Sequence, residues 1–106
     1  MLNFTSLHCG ACGLAAEELV ETYKKYGNFL KIVNFSLNVN KDHWKQSLER
    51  DKVTWNSVWD GKGMFSEVTT KYGVQGMPTF FLIDEKGIII EKWEGYNKNF
   101  IIDYFD

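Results

Sequence analysis

The feature that most constrains this chain is a pair of cysteines, Cys9 and Cys12, set where a short apolar run meets an amphipathic segment. Leu2 to Leu7 reads as a strand with Phe4 at its centre. From Gly10 to Tyr26 the apolar positions Ala11, Ala15, Leu19, Tyr23 and Tyr26 recur every three or four residues. Glu17, Glu18, Glu21, Lys24 and Lys25 fall on other faces, so the segment is a helix, stopped by Gly27. Cys9 then lies at the helix N-terminus, where unpaired N–H groups and the macrodipole favour an anion. A thiolate there is stabilised, which lowers the thiol pKa below the free value of about 8.5. Cys12 lies one turn later on the same face, close enough for a disulfide, with its sulfur pointing inward. That is the arrangement of a nucleophile and a resolving thiol.

Two other readings of the pair stand beside redox chemistry. Half of a zinc site would need about two further Cys or His ligands. Only His8 and His43 are present to supply them; His8 adjoins Cys9, a poor spacing for joint ligation, and His43 falls on a different helix. No metal or other cofactor is therefore assigned. The remaining reading is a structural disulfide or a pair of inert thiols.

The rest of the chain completes an alternating pattern. Ile32 to Val39 alternates Val33, Phe35, Leu37 and Val39 with polar residues, as a half-buried strand does. Asn40 can cap a short helix over 42–50 that buries Trp44 and Leu48. The segment 53–59 is β-prone but too short to assign. Phe65, Val68 and Tyr72 suggest two helical turns closed by Gly73. Thr79–Asp84 and Ile88–Trp93 form a hairpin across a turn ending at Gly87. Phe100, Ile101, Tyr104 and Phe105 share one side of a last helix starting near Asn97 or Lys98. Pro78 is the only proline and opens a strand; Met77–Pro78 is open to a cis peptide bond or to an ordinary trans proline at a sheet edge. The order β-α-β-α-(β)-α-β-β-α argues an α/β fold with a mixed sheet.

At 106 residues, with eight Phe, five Tyr and four Trp, the chain is sized for one domain with a packed core. Its net charge of −2 and lack of a basic run exclude binding of nucleic acid through a cationic surface. The longest apolar stretch, Phe80 to Ile83, is far short of the ~20 residues of a transmembrane helix. Met1 leads straight into Leu2-Asn3-Phe4 without the basic start of a signal peptide.

Three stretches together resemble a known family. Leu2-Asn3-Phe4 with Cys9-Gly10-Ala11-Cys12, then Tyr72-Gly73-Val74-Gln75-Gly76-Met77-Pro78-Thr79, then Phe81-Leu82-Ile83-Asp84 with Gly87 are similar to the thioredoxin family. Within it they resemble the extracytoplasmic TlpA-like (ResA-type) thiol–disulfide oxidoreductases. The resemblance implies a single thioredoxin-like domain over 1–106, with an insertion over roughly 40–64. It also implies catalysis by Cys9 and Cys12, and a cis Pro78 that with Met77 forms a backbone platform for substrate. Asn3 stands where cytoplasmic thioredoxins usually carry a buried Asp. The implied activity is exchange with protein disulfide substrates, in the reducing direction, recharged by an upstream thiol donor outside the cytoplasm. A non-catalytic thioredoxin-like interaction domain using the Met77–Pro78 surface is the alternative.

The sequence also departs from the family. His8 replaces the usual Trp or Tyr before the first cysteine, and when protonated it would favour a Cys9 thiolate. Ala15 replaces a Glu proposed to assist the second cysteine, and Glu17 replaces a helix-kinking proline. Glu18, six residues beyond Cys12, points to another face. The resembled fold has at least one strand before the one at Leu2–Leu7, so the chain reads as N-terminally truncated. The expected strand order is 32–39, 2–7, 79–84, 88–93, the first pair parallel and the rest antiparallel. Without the missing strand, Ile32–Val39 becomes an exposed edge, from which self-association is expected.

Overall fold

The computed structural model describes residues 1–105. The sheet has five strands, β1 (Leu2–Thr5), β2 (Val33–Ser36), β3 (Asn56–Trp59), β4 (Thr79–Ile83) and β5 (Ile89–Glu94), in the order β3-β2-β1-β4-β5. The helices are α1 (Gly10–Tyr26), α2 (Lys41–Arg50), α3 (Glu67–Lys71) and α4 (Phe100–Phe105), with a single 3-10 turn at Gly63–Phe65. β1 runs parallel to β2 and β2 parallel to β3, while β4 is antiparallel to both β1 and β5. The expected four-strand order is contained in this sheet, with the expected directions.

Period-two alternation sends successive side chains to opposite faces of the sheet, and each face builds its own core. On one face Ala15 and Leu19 of α1 and Phe100 and Ile101 of α4 pack on Phe80 and Leu82. On the other, Phe4, Phe35 and Phe81 pack with Leu37 and Val74, with Val68 and Tyr72 alongside. The Phe4 ring is fully buried, 5.5 Å from Phe35 and 6.0 Å from Phe81 between ring centroids. Burial of each such ring contributes about 1.5–3 kcal/mol. The apolar spacing of α1 is thus satisfied by the sheet, and Glu17, Glu21, Lys24 and Lys25 face water.

Several expectations are corrected. Ile32–Val39 is not an edge: the strand proper is Val33–Ser36, and β3 pairs along its outer side with Phe35 opposite Val58 and Ser36 opposite Trp59. The segment too short to assign from sequence therefore occupies the position that was expected to be open. The ground for self-association through that edge is removed, because its N–H and C=O groups are spent in a ladder. Val39 lies beyond the strand and is exposed. Phe65 is 93% exposed, so it takes no part in a buried helix face; Ser66 caps α3 one residue later by accepting from the Val68 N–H. The last helix starts at Phe100, because Asn99 has φ +65, outside helical geometry.

Two tryptophans explain how β3 is held. Trp44 of α2 stacks on Trp59 with ring centroids 5.4 Å apart and planes 7° from parallel. The Trp44 Nε1–H donates to Ser57 Oγ, and the Trp59 Nε1–H donates to the Asn38 carbonyl. Asn40 caps α2 as the sequence suggests, its side chain accepting from the Asp42 and His43 N–H groups. Trp44 and Leu48 are half-buried, and the buried side chain of this helix is Ser47.

Candidate active site

β1 ends at Thr5, and the chain passes through Ser6, Leu7 and His8 to Cys9, the N-cap of α1. Cys9 is extended (φ −110, ψ 106) and its Sγ accepts the Cys12 N–H at 3.1 Å. One of the orphan donors of the helix start is thereby aimed at the Cys9 sulfur. Cys9 and Cys12 are joined in a disulfide across a Cα separation of 5.2 Å. Cys12 is only 2% exposed, whereas Cys9 is half-buried and within reach of a partner. The helix spacing that put both sulfurs on one face is what makes the bond possible.

Register brings a second loop to the same end of the sheet. Phe4 lies opposite Thr79, so Met77–Pro78, just before Thr79, stands beside the exit of β1. The Met77–Pro78 peptide is cis. Pro78 is fully buried, its carbonyl accepting the Gly95 N–H at 2.8 Å, while Met77 is 37% exposed. Thr79 Oγ1 donates to the Gly76 carbonyl at 2.8 Å and pins the turn from the other side.

The loop leading to Cys9 is gripped on both sides. Asn38, just past β2, accepts from the Ser6 hydroxyl at 3.1 Å and from the Leu7 N–H at 3.2 Å. Arg50, the last residue of α2, donates to the Ser6 and Leu7 carbonyls. His8 is exposed, and its ring meets the His43 ring edge to face at 4.8 Å. The two histidines are therefore neighbours, although they lie on different elements. Among the described residues, no group of three or more His, Cys, Asp or Glu side chains is placed to hold a metal ion.

Behind the site the sheet is polar. Asn3 and Asn34 are cross-strand neighbours on β1 and β2, both buried, and Asn3 Nδ2 donates to Asn34 Oδ1 at 3.0 Å. The same oxygen accepts the Trp55 Nε1–H at 2.9 Å. Glu18 faces away from the cysteines, as its spacing requires. Its Oε1 accepts from the Tyr96 hydroxyl at 2.8 Å and the Asn99 N–H at 2.6 Å, tying α1 to the start of α4. The bond to Glu18 holds the Tyr96 phenol above its ordinary pKa.

Sequence reasoning singles out Cys9, Cys12, His8, Met77 and Pro78, and misses Arg50 and the pairing of His43 with His8. Both of these act from α2, more than 30 residues along the chain, and their contacts depend on how that helix docks.

A thioredoxin-like domain model matches residues 1–102. The chain belongs to the thioredoxin-like family. Its fold matches the thioredoxin domain of a thiol-disulfide oxidoreductase from Bacteroides vulgatus with a TM-score of 0.84 and 25% identity, covering 98% of this chain and 76% of that one. It matches StoA from Bacillus subtilis with a TM-score of 0.73 and 26% identity, over 89% and 71% of the two chains. Among curated proteins, this thioredoxin-like chain is 28% identical to nucleoredoxin of Xenopus laevis over 95 residues, 86% of its own length and 22% of the relative's. The chain thus spans about a fifth of the length of the curated relatives it matches. No helix among the described residues is long and apolar enough to cross a membrane.

Proposed function

We propose that this thioredoxin-like chain exchanges dithiol and disulfide with protein partners, with Cys9 as nucleophile and Cys12 as resolving thiol. The observation that carries the reading is the asymmetry of the pair. Cys9 caps the helix, receives the Cys12 N–H and is reachable, whereas Cys12 is buried. In the reducing direction the Cys9 thiolate attacks one sulfur of a substrate disulfide, and the other leaves as a thiolate that takes up a proton. Cys12, on losing its proton, attacks the mixed disulfide at Cys9 and releases the second substrate thiol. The substrate gains two electrons and two protons, and the chain is left with the Cys9–Cys12 disulfide. An upstream thiol donor restores the dithiol.

The cis Met77–Pro78 loop supplies the substrate platform in this reading, because the half-exposed Met77 precedes a buried proline beside the redox loop. His8 favours the Cys9 thiolate when protonated, since a cation near a thiolate stabilises its charged form. The reducing direction and an extracytoplasmic location rest on the resemblance to TlpA-like proteins.

The test is reduction of insulin by dithiothreitol, comparing wild type with Cys9→Ser and Cys12→Ser. Wild type should accelerate the reaction, Cys9→Ser should not, and Cys12→Ser should accumulate a mixed disulfide through Cys9. Activity surviving Cys9→Ser would remove the nucleophile assignment. No acceleration by wild type would leave the non-catalytic interaction domain as the better reading.

A further inference from the structure

Arg50 does more than end a helix. Its Nη2–H donates to the Ser6 carbonyl at 3.0 Å and its Nη1–H to the Leu7 carbonyl, across 44 and 43 residues of sequence. The guanidinium is oriented by the neighbouring Asp51, with Nε to Oδ1 at 2.6 Å and Nη2 to Oδ2 at 3.2 Å. The Asp51 side chain is 3% exposed, so this carboxylate is committed to the pair. The guanidinium also lies over the first turn of α1, where a Cβ placed on Gly13 would sit 3.7 Å from its Cζ and Nε. One planar group thus bonds the backbone at Ser6 and Leu7 before Cys9 and fills the space a side chain at Gly13, after Cys12, would enter.

The other side of the same loop is held by Asn38. With Asn38 on the Leu7 N–H and Arg50 on the carbonyls, Ser6 and Leu7 have little freedom. Only His8 separates them from the residue whose sulfur caps α1. α2 is itself fixed to β3 by the Trp44–Trp59 stack and by the bond to Ser57. A rigid path therefore runs from the outer strand of the sheet, through α2, to the redox loop.

We propose that Arg50 is a positioning residue for thiol–disulfide exchange, setting how Cys9 meets the first turn of α1 and holding a cation beside it. The inference rests on Cys9 being the nucleophile. Lysine would keep the charge but lose the planar fork that reaches two carbonyls and Asp51 together. Asp51 offsets part of the charge, so the geometry of the fork matters as well as its sign. The 410 Å³ cleft that the guanidinium shares with Gly10 and Gly13 is also lined by the charged groups Glu17, Glu21 and Lys24 of α1 and by Lys52. His43, with His8 against it, lies at the opposite end of α2.

The experiment measures alkylation of Cys9 across pH, and mixed-disulfide formation at pH 7, in the reduced full chain with Cys12→Ser. The parent is compared with Arg50→Met, Arg50→Lys and, as a control on the exposed face of α2, Lys45→Met. Circular dichroism and urea melts run alongside. Arg50→Met is expected to move the alkylation midpoint to higher pH and to slow mixed-disulfide formation roughly three- to tenfold, as loss of a nearby cation requires. Arg50→Lys should slow it less, and Lys45→Met should match the parent. A folded Arg50→Met with the parental midpoint and rate would overturn the assignment. If Arg50→Met does not fold, Arg50→Lys decides, and parental kinetics there overturn it equally. A parent in which Cys9 has no preferential reactivity would instead remove the redox reading, and this inference with it.

Discussion

Replacing Asn34 by leucine isolates the polar layer behind the redox site. Asn34 is 2% exposed and its Oδ1 accepts two donors, the Asn3 amide at 3.0 Å and the Trp55 indole N–H at 2.9 Å. Leucine fills a similar volume but accepts neither. Asn3 is itself buried, and its own Oδ1 has no partner, so the variant would leave its whole side-chain amide unpaired. A buried donor stripped of its acceptor costs about 1–3 kcal/mol, while a donor that can turn to water loses nearer the ~1 kcal/mol of an average bond. Trp55 is half-buried and belongs to the second class. The sum is a loss of roughly 2–4 kcal/mol, a large part of the ~5–15 kcal/mol of an ordinary domain. At this chain length that is a fall in Tm of roughly 8–16 °C.

The diagnostic comparison is with the double variant Asn3→Val/Asn34→Leu, because removing both partners together avoids the orphaned amide. Urea unfolding, with unchanged m-values as the check on two-state behaviour, should find the double variant more stable than Asn34→Leu alone. If Asn34→Leu falls within about 0.5 kcal/mol of wild type, or the two substitutions simply add, the bond does not carry the cost assigned to it.

Tyr96 should titrate above an ordinary tyrosine because its hydroxyl donates a hydrogen bond to the Glu18 carboxylate. Its stabilising contribution is whole below the ordinary tyrosine value and is lost as pH rises through the folded value; Glu18→Gln should return the 295 nm titration toward normal, and an unmoved curve would remove the bond as cause. Ser66→Ala deletes both the α3 cap and the hydroxyl that donates to Asp60 at 2.6 Å, so it should cost about 1 kcal/mol. It should also raise the Asp60 carboxyl pKa from its lowered value, which carboxyl NMR would track. Phe65→Ser should change stability by less than about 0.5 kcal/mol in a urea melt, since the ring lies almost wholly in water; a larger loss would show that the ring packs.

Sequence is most informative where a signal is local and periodic. The α1 span Gly10–Tyr26 comes from the apolar spacing and the stop at Gly27, and is observed without change. Asn40 caps α2 because its side chain needs only the next two or three N–H groups. β3 is illegible for the opposite reason. Its pattern NSVW is short and exposed on alternate residues, and it is a strand because β2 offers a ladder and Trp59 is anchored to Asn38. A partner about 20 residues away decides its state, and a local window does not contain it. Phe65 misleads in a similar way: an apolar residue at helical spacing suggests a buried face, but the chain turns at Gly63, with φ +55, and carries the ring outward.

The redox site divides along the same line. The Cys9–Cys12 pair is legible because residue type, position at an element boundary and spacing coincide, whereas the local sequence leaves Met77–Pro78 open between cis and trans and only the family resemblance implies the cis bond observed. Arg50 carries no such mark: a basic residue in the last turn of a helix ordinarily interacts with the macrodipole and with solvent. Its contacts with Ser6 and Leu7 exist only once α2 has docked, and α2 docks through Trp44 on Trp59. The stretch between Val39 and Phe65 therefore closes the side of the sheet that local pattern leaves open, and places the Arg50 guanidinium on the Ser6 and Leu7 carbonyls. The same docking energy serves both, so loosening the Trp44–Trp59 stack should weaken, through α2, the grip of Arg50 on the redox loop.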